Sequence, residues 1–187
     1  MADTQDPRFV RSRESMLTAA RELLQDEGPA AVTHQRVAQR AGVGRATVYR
    51  HWSHPGDLLQ DAMSAADVPF FRQPRLPLRP WLLAELRRIA DELALPALAS
   101  IAVTLMYQAR WQTTATSYRD HQLQLLDHRL QAAFALAADA GELDEPLQPP
   151  VLTAILLGPL IFRTTLQEGT VPDVMLERLI DAAAKWR

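Results

Sequence analysis

One stretch of the chain holds several arginines and histidines without any carboxylate beside them. Residues 28–56 contain no Asp or Glu, whereas the complete chain has a net charge of −2 at neutral pH. The basic side chains of this window are Arg36, Arg40, Arg45, Arg50, His34, His51 and His54. A positive window in a weakly acidic protein suits contact with phosphate groups, because the local field decides such a contact. The alternative interpretation is a solvated basic face.

Residues 45–51 combine side chains that suit the edges of base pairs. A helix that enters the major groove is short, free of acidic side chains and equipped with small residues that allow close approach. Arg45 or Arg50 could pair with a guanine edge. The methyl groups of Ala46 or Thr47 suit the methyl group of thymine. The pattern therefore indicates a helix that reads DNA.

Other side chains nearby suit phosphates, which fix the register of a protein on DNA without reading its sequence. The hydroxyl groups of Thr47 and Tyr49, and the imidazole of His51, are the candidates. Thr33 opens the preceding helix, where free backbone N–H groups and the helix dipole favour a phosphate. Thr33 is also an ordinary N-cap, and the two roles are compatible.

Hydrophobic spacing predicts an all-α chain, since no segment alternates cleanly with a period of two. The predicted helices span about 8–27, 33–41, 45–51, 54–68, 81–95, 96–111, 115–140, 151–167 and 172–186. Glycine and proline at 28–29 end the first helix, and the turn Gly42-Val43-Gly44 separates the second from the third. A short helix, a glycine turn and a second short helix form the helix-turn-helix pattern.

The stretch 33–59 resembles the DNA-binding domain of the TetR family of regulators. The residues that carry the resemblance are Val37-Ala38, Ala41-Gly42-Val43, Thr47-Val48-Tyr49, Trp52 and Leu58-Leu59. The segment 157–163 also looks like a stretch found in one branch of that family. The rest of the C-terminal part matches only in helix lengths and apolar pattern.

The resemblance and the helix pattern together predict two domains. Residues 1–54 form a three-helix DNA-binding domain, and residues 55–187 form a larger helical domain for ligand binding and dimerisation. The expected function is that of a dimeric repressor that releases a near-palindromic, double-stranded DNA operator when a small molecule binds. The alternative is a protein-interaction adaptor of the same fold that lacks specific DNA binding.

Two positions depart from the family pattern. Pro55 stands where the family usually has a lysine that reaches a phosphate, so one anchor is missing or supplied by His54. Arg36 stands where an acid usually completes the capping box, which removes a local cap and adds positive charge near the expected DNA face.

Arg8, Arg11 and Arg13 oppose the dipole at the start of the first helix, so they form either a DNA arm or a solvated cluster.

The predicted helix 151–167 is apolar nearly all round, so both of its sides must be covered. One side can face its own domain, and the other needs a partner. Together with the last helix, 172–186, it would form a four-helix interface between two subunits, as the family resemblance also implies. The alternative is a helix at the centre of a monomer.

Aromatic and polar residues in the C-terminal helices are candidates for a small-molecule site. Tyr107 and Trp111 are four apart and would share one helix face. Phe162 and Arg163, next to a kink expected at Pro159, would form the opposite wall. Arg163 would anchor an acidic ligand or form a structural ion pair. Ordinary core packing or surface exposure is the alternative for each of these residues.

The same sequence argues against several other classes of protein. It has no cysteine, and its seven glycines form no phosphate-binding or dinucleotide-binding fingerprint. His51 and His54 lack further ligands for a metal. We therefore expect no enzyme, no cofactor and no metal. The polar N-terminus and the expected absence of a membrane-length apolar run predict a soluble, cytoplasmic protein without a membrane partner.

Overall fold

The computed structural model describes residues 7–64, 70–144 and 147–187. Within them the regular elements are helical, apart from an isolated antiparallel bridge between Leu143 and Trp186. The helices are α1 (Pro7–Glu27), α2 (His34–Ala41), α3 (Arg45–His51), α4 (Pro55–Ser64), α5 (Leu78–Leu93), α6 (Pro96–Gln108), α7 (Thr113–Asp139), α8 (Pro149–Ile161) and α9 (Asp173–Ala183). The predicted all-α class is confirmed.

The chain divides into two compact units. The first comprises residues 1–67 with 100–104, and the second comprises residues 68–99 with 105–187. The first unit thus includes α4 as well as the three helices before it. The predicted functional boundary after residue 54 stays a prediction.

Glycines and one N-cap set the limits of the helices in the first unit. Gly28, with φ of 83°, follows α1, and a 3-10 turn at Pro29–Ala31 leads to α2. Thr33 caps α2 by accepting a hydrogen bond from the backbone N–H of Arg36 at 3.3 Å. Gly42, with φ of 68°, ends α2 in the left-handed conformation that glycine adopts without strain. The short turn that results brings α3 directly after α2.

Apolar side chains of all four helices form the core of the first unit. Helix α1 packs against α2 and α4, and α2 packs against α3. The buried core side chains include Met16, Leu17, Ala20, Leu23, Leu24, Val37, Val48, Trp52, Leu58 and Leu59. Burial of these side chains fixes α3 on one side and leaves its other side to solvent.

The core of the second unit lies between α5, α7, α8 and α9. Its largest fully buried side chains include Phe71, Leu78, Leu82, Leu86, Ile89, Leu130, Phe134 and Leu152. Buried Glu85 of α5 ties down the connection that precedes this helix. It accepts hydrogen bonds from the backbone N–H of Arg72 at 2.9 Å and from its Nε at 2.7 Å. Arg88, which donates to Glu85, also donates to the carbonyl of Phe70 at 2.6 Å.

Several helix ends differ from the sequence prediction, and at three of them contacts outside the helix accompany the difference. Helix α5 begins at Leu78, whose N–H donates to the Glu142 carboxylate at 2.7 Å. Helix α6 ends at Gln108, and the hydroxyl of Thr116 caps the carbonyl of Ala109 at 2.7 Å. The predicted last helix was too long, because α9 ends at Ala183 and Trp186 turns away to pair with Leu143.

Helix α8 is the most apolar helix of the second unit. The stretch Pro149–Leu166 is long and apolar enough, with a mean hydropathy of 1.4, to span a membrane by length and composition alone. This corrects the expectation that no run approaches that length. Its buried residues Leu152, Leu156 and Leu160 belong to the core of the unit, which explains the apolar side chains on one face of the helix. A π-helical turn at Phe162–Leu166 follows α8, shortly after Pro159.

Candidate nucleic-acid interface

Helix α3 has one buried side and one exposed side. Val48 is fully buried, and Trp52, which caps the helix, is nearly so. On the other side, the residues predicted to meet DNA lie at the surface. Arg45, Ala46, Tyr49 and Arg50 are exposed, and Thr47 is half-buried. The structure therefore brings the candidate base-reading side chains together on one accessible face.

Arg45 and Tyr49 form a pair on this face, one helical turn apart. The Arg45 guanidinium donates a hydrogen bond to the Tyr49 hydroxyl at 3.0 Å, and its Cζ lies 5.3 Å from the centre of the Tyr49 ring. A guanidinium held in this way has fewer conformations to lose when it meets a base edge. The pair thus presents the N–H donors of an oriented guanidinium next to a phenolic hydroxyl.

Buried His34 supports Tyr49 from below, a contact that the sequence analysis missed. The side chain of His34 is 3% exposed, and its ring stacks on that of Tyr49 with the centroids 4.0 Å apart. Nε2 of His34 lies 2.8 Å from the carbonyl oxygen of Trp52. These contacts join the first residue of α2 to the middle and the end of α3.

Trp52 and Asp61 fix the end of α3 against α1 and α4. The indole N–H of Trp52 donates to the Asp61 carboxylate at 2.7 Å. The same carboxylate pairs with Arg13, whose guanidinium lies 5.3 Å from the centre of the Trp52 ring. Arg13 therefore has a structural partner, and the predicted DNA arm stays a prediction. The side chain of Arg8 lies outside the described part of the chain.

The basic window is partly neutralised by carboxylates from outside it. Arg36 pairs with Glu27 of α1 at 2.5 Å, and Arg40 lies 3.2 Å from Asp26 and 3.5 Å from Glu22. The hydrogen bond from Arg36 is the main cause that lowers the pKa of Glu27. The expectation that Arg36 adds net positive charge to the DNA face is thus wrong, because a helix packed beside it supplies the counter-charge. Thr33 still caps the helix without the usual acid.

Arg45 and Arg50 differ from Arg36 and Arg40 in their surroundings. Neither forms an ion pair with a carboxylate in the described part of the chain, and both are exposed. The positive charge of the window is therefore concentrated on α3, the helix with the exposed candidate face. Such an arrangement favours contact with an anionic polymer.

His51, a predicted phosphate ligand, lies at the edge of this face. It is half-buried, and its ring stacks on that of Phe9 with the centroids 4.0 Å apart. Burial, followed by the cations of Arg13 and Arg50, holds the pKa of His51 below its usual value. The shift favours the neutral imidazole in the free protein, and a neutral imidazole can still form a hydrogen bond with a phosphate.

The turn before α4 has the predicted departure from the family pattern. Pro55 is the first residue of α4, and His54 and Pro55 are both exposed. The His54 carbonyl accepts the N–H groups of Asp57 and Leu58, which closes the first turn of the helix. His54 is placed at the surface, where its side chain is accessible.

The four candidate ligand-binding residues all belong to the second unit. Tyr107, Trp111 and Phe162 are 69%, 77% and 52% exposed, so none of the three lies in an enclosed cavity of the single chain. Trp111 follows the end of α6 instead of sharing its helix face with Tyr107. Arg163 donates to the carbonyl of Thr170 at 3.1 Å and to the side chain of Gln167 at 3.0 Å. Their predicted role in ligand binding stays a prediction.

The second unit also has an open groove of about 440 Å³ along α5. The residues that line it are Ala84, Arg87, Arg88, Asp91, Glu92 and Leu95. Several of these charges are already paired, for example Arg88 with Glu92 at 2.7 Å. The groove is distinct from the four predicted ligand-binding residues.

The described residues form a helical chain that exposes the second helix of a helix-turn-helix, and no described carboxylate forms an ion pair with Arg45 or Arg50 of that helix. These features define a DNA-binding regulator. Residues 16–62 match the bacterial regulatory proteins of the tetR family, and residues 77–183, more than half of the chain, match the tetracyclin repressor-like C-terminal domain. The chain belongs to the TetR family of transcriptional regulators.

Known relatives agree with this assignment. An uncharacterized HTH-type transcriptional regulator, YdeS of Bacillus subtilis (strain 168), is 27% identical over 96% of this chain and 91% of its own length. The crystal structure of the TetR family transcription regulator SCO0332 is 28% identical, with a TM-score of 0.68 over 91% of this chain and 94% of that one. The SmeT–triclosan complex is 23% identical, with a TM-score of 0.67 over 94% of this chain and 92% of that one, and shares the fold.

Proposed function

We propose that this protein is a dimeric repressor that binds a near-palindromic DNA operator and releases it when a small molecule binds. The observation that carries the DNA-binding part is the exposed face of α3, on which Arg45 is held by Tyr49. Arg45 or Arg50 contacts a guanine edge, and Ala46 or Thr47 contacts a thymine methyl group. Tyr49, His51 and Thr33 hold phosphates that set the register.

The outer face of α8 supports the dimer. Its buried side is used by the core of its own unit, whereas Val151, Ala154, Gly158 and Phe162 are exposed at helical spacing. No charged residue occurs from Pro149 to Phe162. An uncharged apolar stripe of this length is unfavourable in water, and a second copy of the chain covers it. The dimer then offers two α3 helices to two half-sites about one turn of DNA apart.

Small-molecule binding is proposed for the second unit. One structural relative, SmeT, was solved as a complex with triclosan. In the present chain, Tyr107, Trp111 and Phe162 expose aromatic surface. Arg163 donates hydrogen bonds to two neutral acceptors, the carbonyl of Thr170 and the side chain of Gln167. Such a mixture of aromatic surface and one cation suits a planar or acidic effector. These four residues are the proposed contacts.

Release from DNA requires the effector to bind one state of the dimer more tightly than the other. The state that binds the effector holds the two α3 helices at a separation that does not fit successive major grooves. The protein performs no catalysis in this scheme and acts in the cytoplasm, without a membrane partner.

An in vitro selection tests this proposal directly. The full-length protein is incubated with a library of random-sequence duplexes, and the bound DNA is recovered and sequenced. The expected result is a motif with two inverted half-sites, centred about 10 base pairs apart or a multiple of that distance. A thermal-shift screen then provides effectors, each of which should release the selected duplex. Recovery of no motif would contradict the proposal and favour the adaptor.

A further inference from the structure

His34 is a buried polar residue in the first turn of α2, so it is not available to the phosphates that the basic window was expected to contact. Its Nε2 lies 2.8 Å from the backbone carbonyl of Trp52. Because a carbonyl oxygen can only accept a hydrogen bond, Nε2 carries the proton and donates it. This bond fixes the plane of the imidazole relative to the end of α3.

The fixed imidazole is the base of a stack that ends at the protein surface. Its ring lies against that of Tyr49 with the centroids 4.0 Å apart and the planes inclined by 21°. Tyr49 is 42% exposed, and its hydroxyl accepts the hydrogen bond from Arg45. The three side chains form a continuous series from the core to the solvent, and each restricts the next.

We propose that His34 is a positioning residue that sets the base preference of Arg45 without touching DNA. The stack on His34 restricts the orientation of the Tyr49 ring. The ring and hydroxyl of Tyr49 in turn restrict the orientation of the Arg45 guanidinium. A bidentate contact with guanine depends on the angle of the guanidinium plane, so a loose Arg45 loses discrimination before it loses attraction to phosphates. This inference rests on the proposed DNA contacts of α3.

A purely structural role for His34 gives a different result. If the imidazole only fills space in the core, its replacement lowers the stability of the unit and weakens binding to matched and mismatched duplexes by the same factor. If it positions Arg45, its replacement changes the ratio of the affinities for matched and mismatched duplexes at one base pair. This ratio of affinities, and not the affinity for a single duplex, therefore separates the two roles.

The test uses the full-length protein, the duplex selected by the wild type and its single-base-pair substitutions. Arg45→Ala first identifies the base pair whose identity ceases to matter. His34→Gln retains a donor but has no ring to stack on Tyr49, whereas His34→Phe retains the ring but not the donor. His34→Leu fills the site with an apolar side chain and provides a second ring-free variant if the glutamine is poorly accommodated. Leu23→Ala, at a buried site of α1, is the control for lost stability.

The expected result is a loss of preference, on the order of tenfold, in His34→Gln and His34→Leu at the base pair that Arg45→Ala identifies. Leu23→Ala keeps the wild-type ratio at that pair, even where its melting temperature falls. His34→Phe keeps the ring but not the hydrogen bond that fixes its plane, so it loses less of the preference than the two ring-free variants do. In the Arg45→Ala background, His34→Gln changes the ratio no further, because the two residues act in series.

Wild-type ratios in both ring-free variants would overturn the proposal, as would a loss of preference at a different base pair. If the wild type selects no motif, the proposed DNA-binding function itself fails. If the wild type selects a motif but Arg45→Ala changes no preference, the function stands and the role of His34 is refuted.

Discussion

The guanidinium of Arg45 lies over the ring of Tyr49 and donates to its hydroxyl at 3.0 Å. Each of these two candidate DNA contacts therefore restricts the conformation of the other. Independent side chains would contribute independently to operator binding. Side chains that hold each other should instead show strong coupling when both are changed.

We expect Arg45→Ala to weaken binding to the selected duplex by about 1–3 kcal/mol and to relax preference at one base pair. Tyr49→Phe should weaken binding to all duplexes through the lost phosphate contact, and should also loosen the preference of Arg45. In the double variant, the effect of Tyr49→Phe should be smaller than in the wild-type background. Fluorescence anisotropy over the four variants of this cycle measures the coupling, and strict additivity would show that the pair does not act together.

The outer face of α8 provides a test of assembly. Ala154 is exposed between Val151 and Gly158 on this face, whereas Leu156 is fully buried in the core of its own unit. Ala154→Glu should therefore give a folded monomer by sedimentation, with operator affinity reduced on the order of a hundredfold because the two half-sites no longer bind together. Ala154→Ser is the matched neutral control. Leu156→Glu should unfold the unit instead.

A wild-type protein that sediments as a monomer at micromolar concentration would contradict this prediction, as would an Ala154→Glu variant that remains dimeric.

Trp111 tests the proposed effector contacts. Because its side chain is 77% exposed on the single chain, Trp111→Ala should change the free energy of unfolding by no more than about 0.5 kcal/mol. It should keep the operator affinity but need a much higher effector concentration for release. Leu136→Ala, which removes a different exposed apolar side chain, is the control and should respond like the wild type. A normal response of Trp111→Ala would place the effector elsewhere.

Glu85 makes part of the stability depend on pH. Burial raises the pKa of its carboxyl, but hydrogen bonds from Arg72 and Arg88 outweigh burial and hold the pKa below the usual value of 4.5. Between the folded and unfolded pKa values the unfolded state binds more protons, so stability rises with pH there. The contribution is complete above about pH 4.5 and is lost as the pH falls through the folded pKa.

Glu85→Gln should lower the free energy of unfolding at pH 7 by about 2–4 kcal/mol, less than for a fully buried pair because Arg72 is exposed. Its stability should also fall less steeply in acid than that of the wild type. Urea unfolding at pH 7 and at pH values below 4.5 measures both effects. Parallel acid profiles for the two proteins would contradict the role given to the carboxylate.

The sequence predicted the parts of this fold that depend on neighbouring residues. Gly28, Thr33 and Gly42 act on helices that they adjoin, so the helix-turn-helix was predicted nearly to the residue. The start of α5 depends on Glu142, 64 residues away, and the end of α9 depends on the pairing of Trp186 with Leu143. Local patterns contain no information about such contacts.

In the candidate site, too, the sequence predicted local features but not the contacts between helices. The exposed side chains of α3 follow from helical periodicity. The neutralisation of Arg36 by Glu27 and the stack of His34 on Tyr49 depend on how α2 packs against α1 and α3. The one local signal for His34 was its place in the first turn of α2, where a polar ring next to a buried face needs a partner.

Sequence-specific binding by this protein is measured most directly by the affinity of the selected duplex, compared with that of a scrambled duplex of the same composition over a range of salt concentrations. We expect the selected duplex to bind at least about a thousandfold more tightly than the scrambled one. We also expect the logarithm of the binding constant of the selected duplex to fall with that of the salt concentration, with a slope of about −0.9 for each phosphate contacted. Equal affinity for the two duplexes, or binding that salt does not weaken, would contradict the proposed DNA binding.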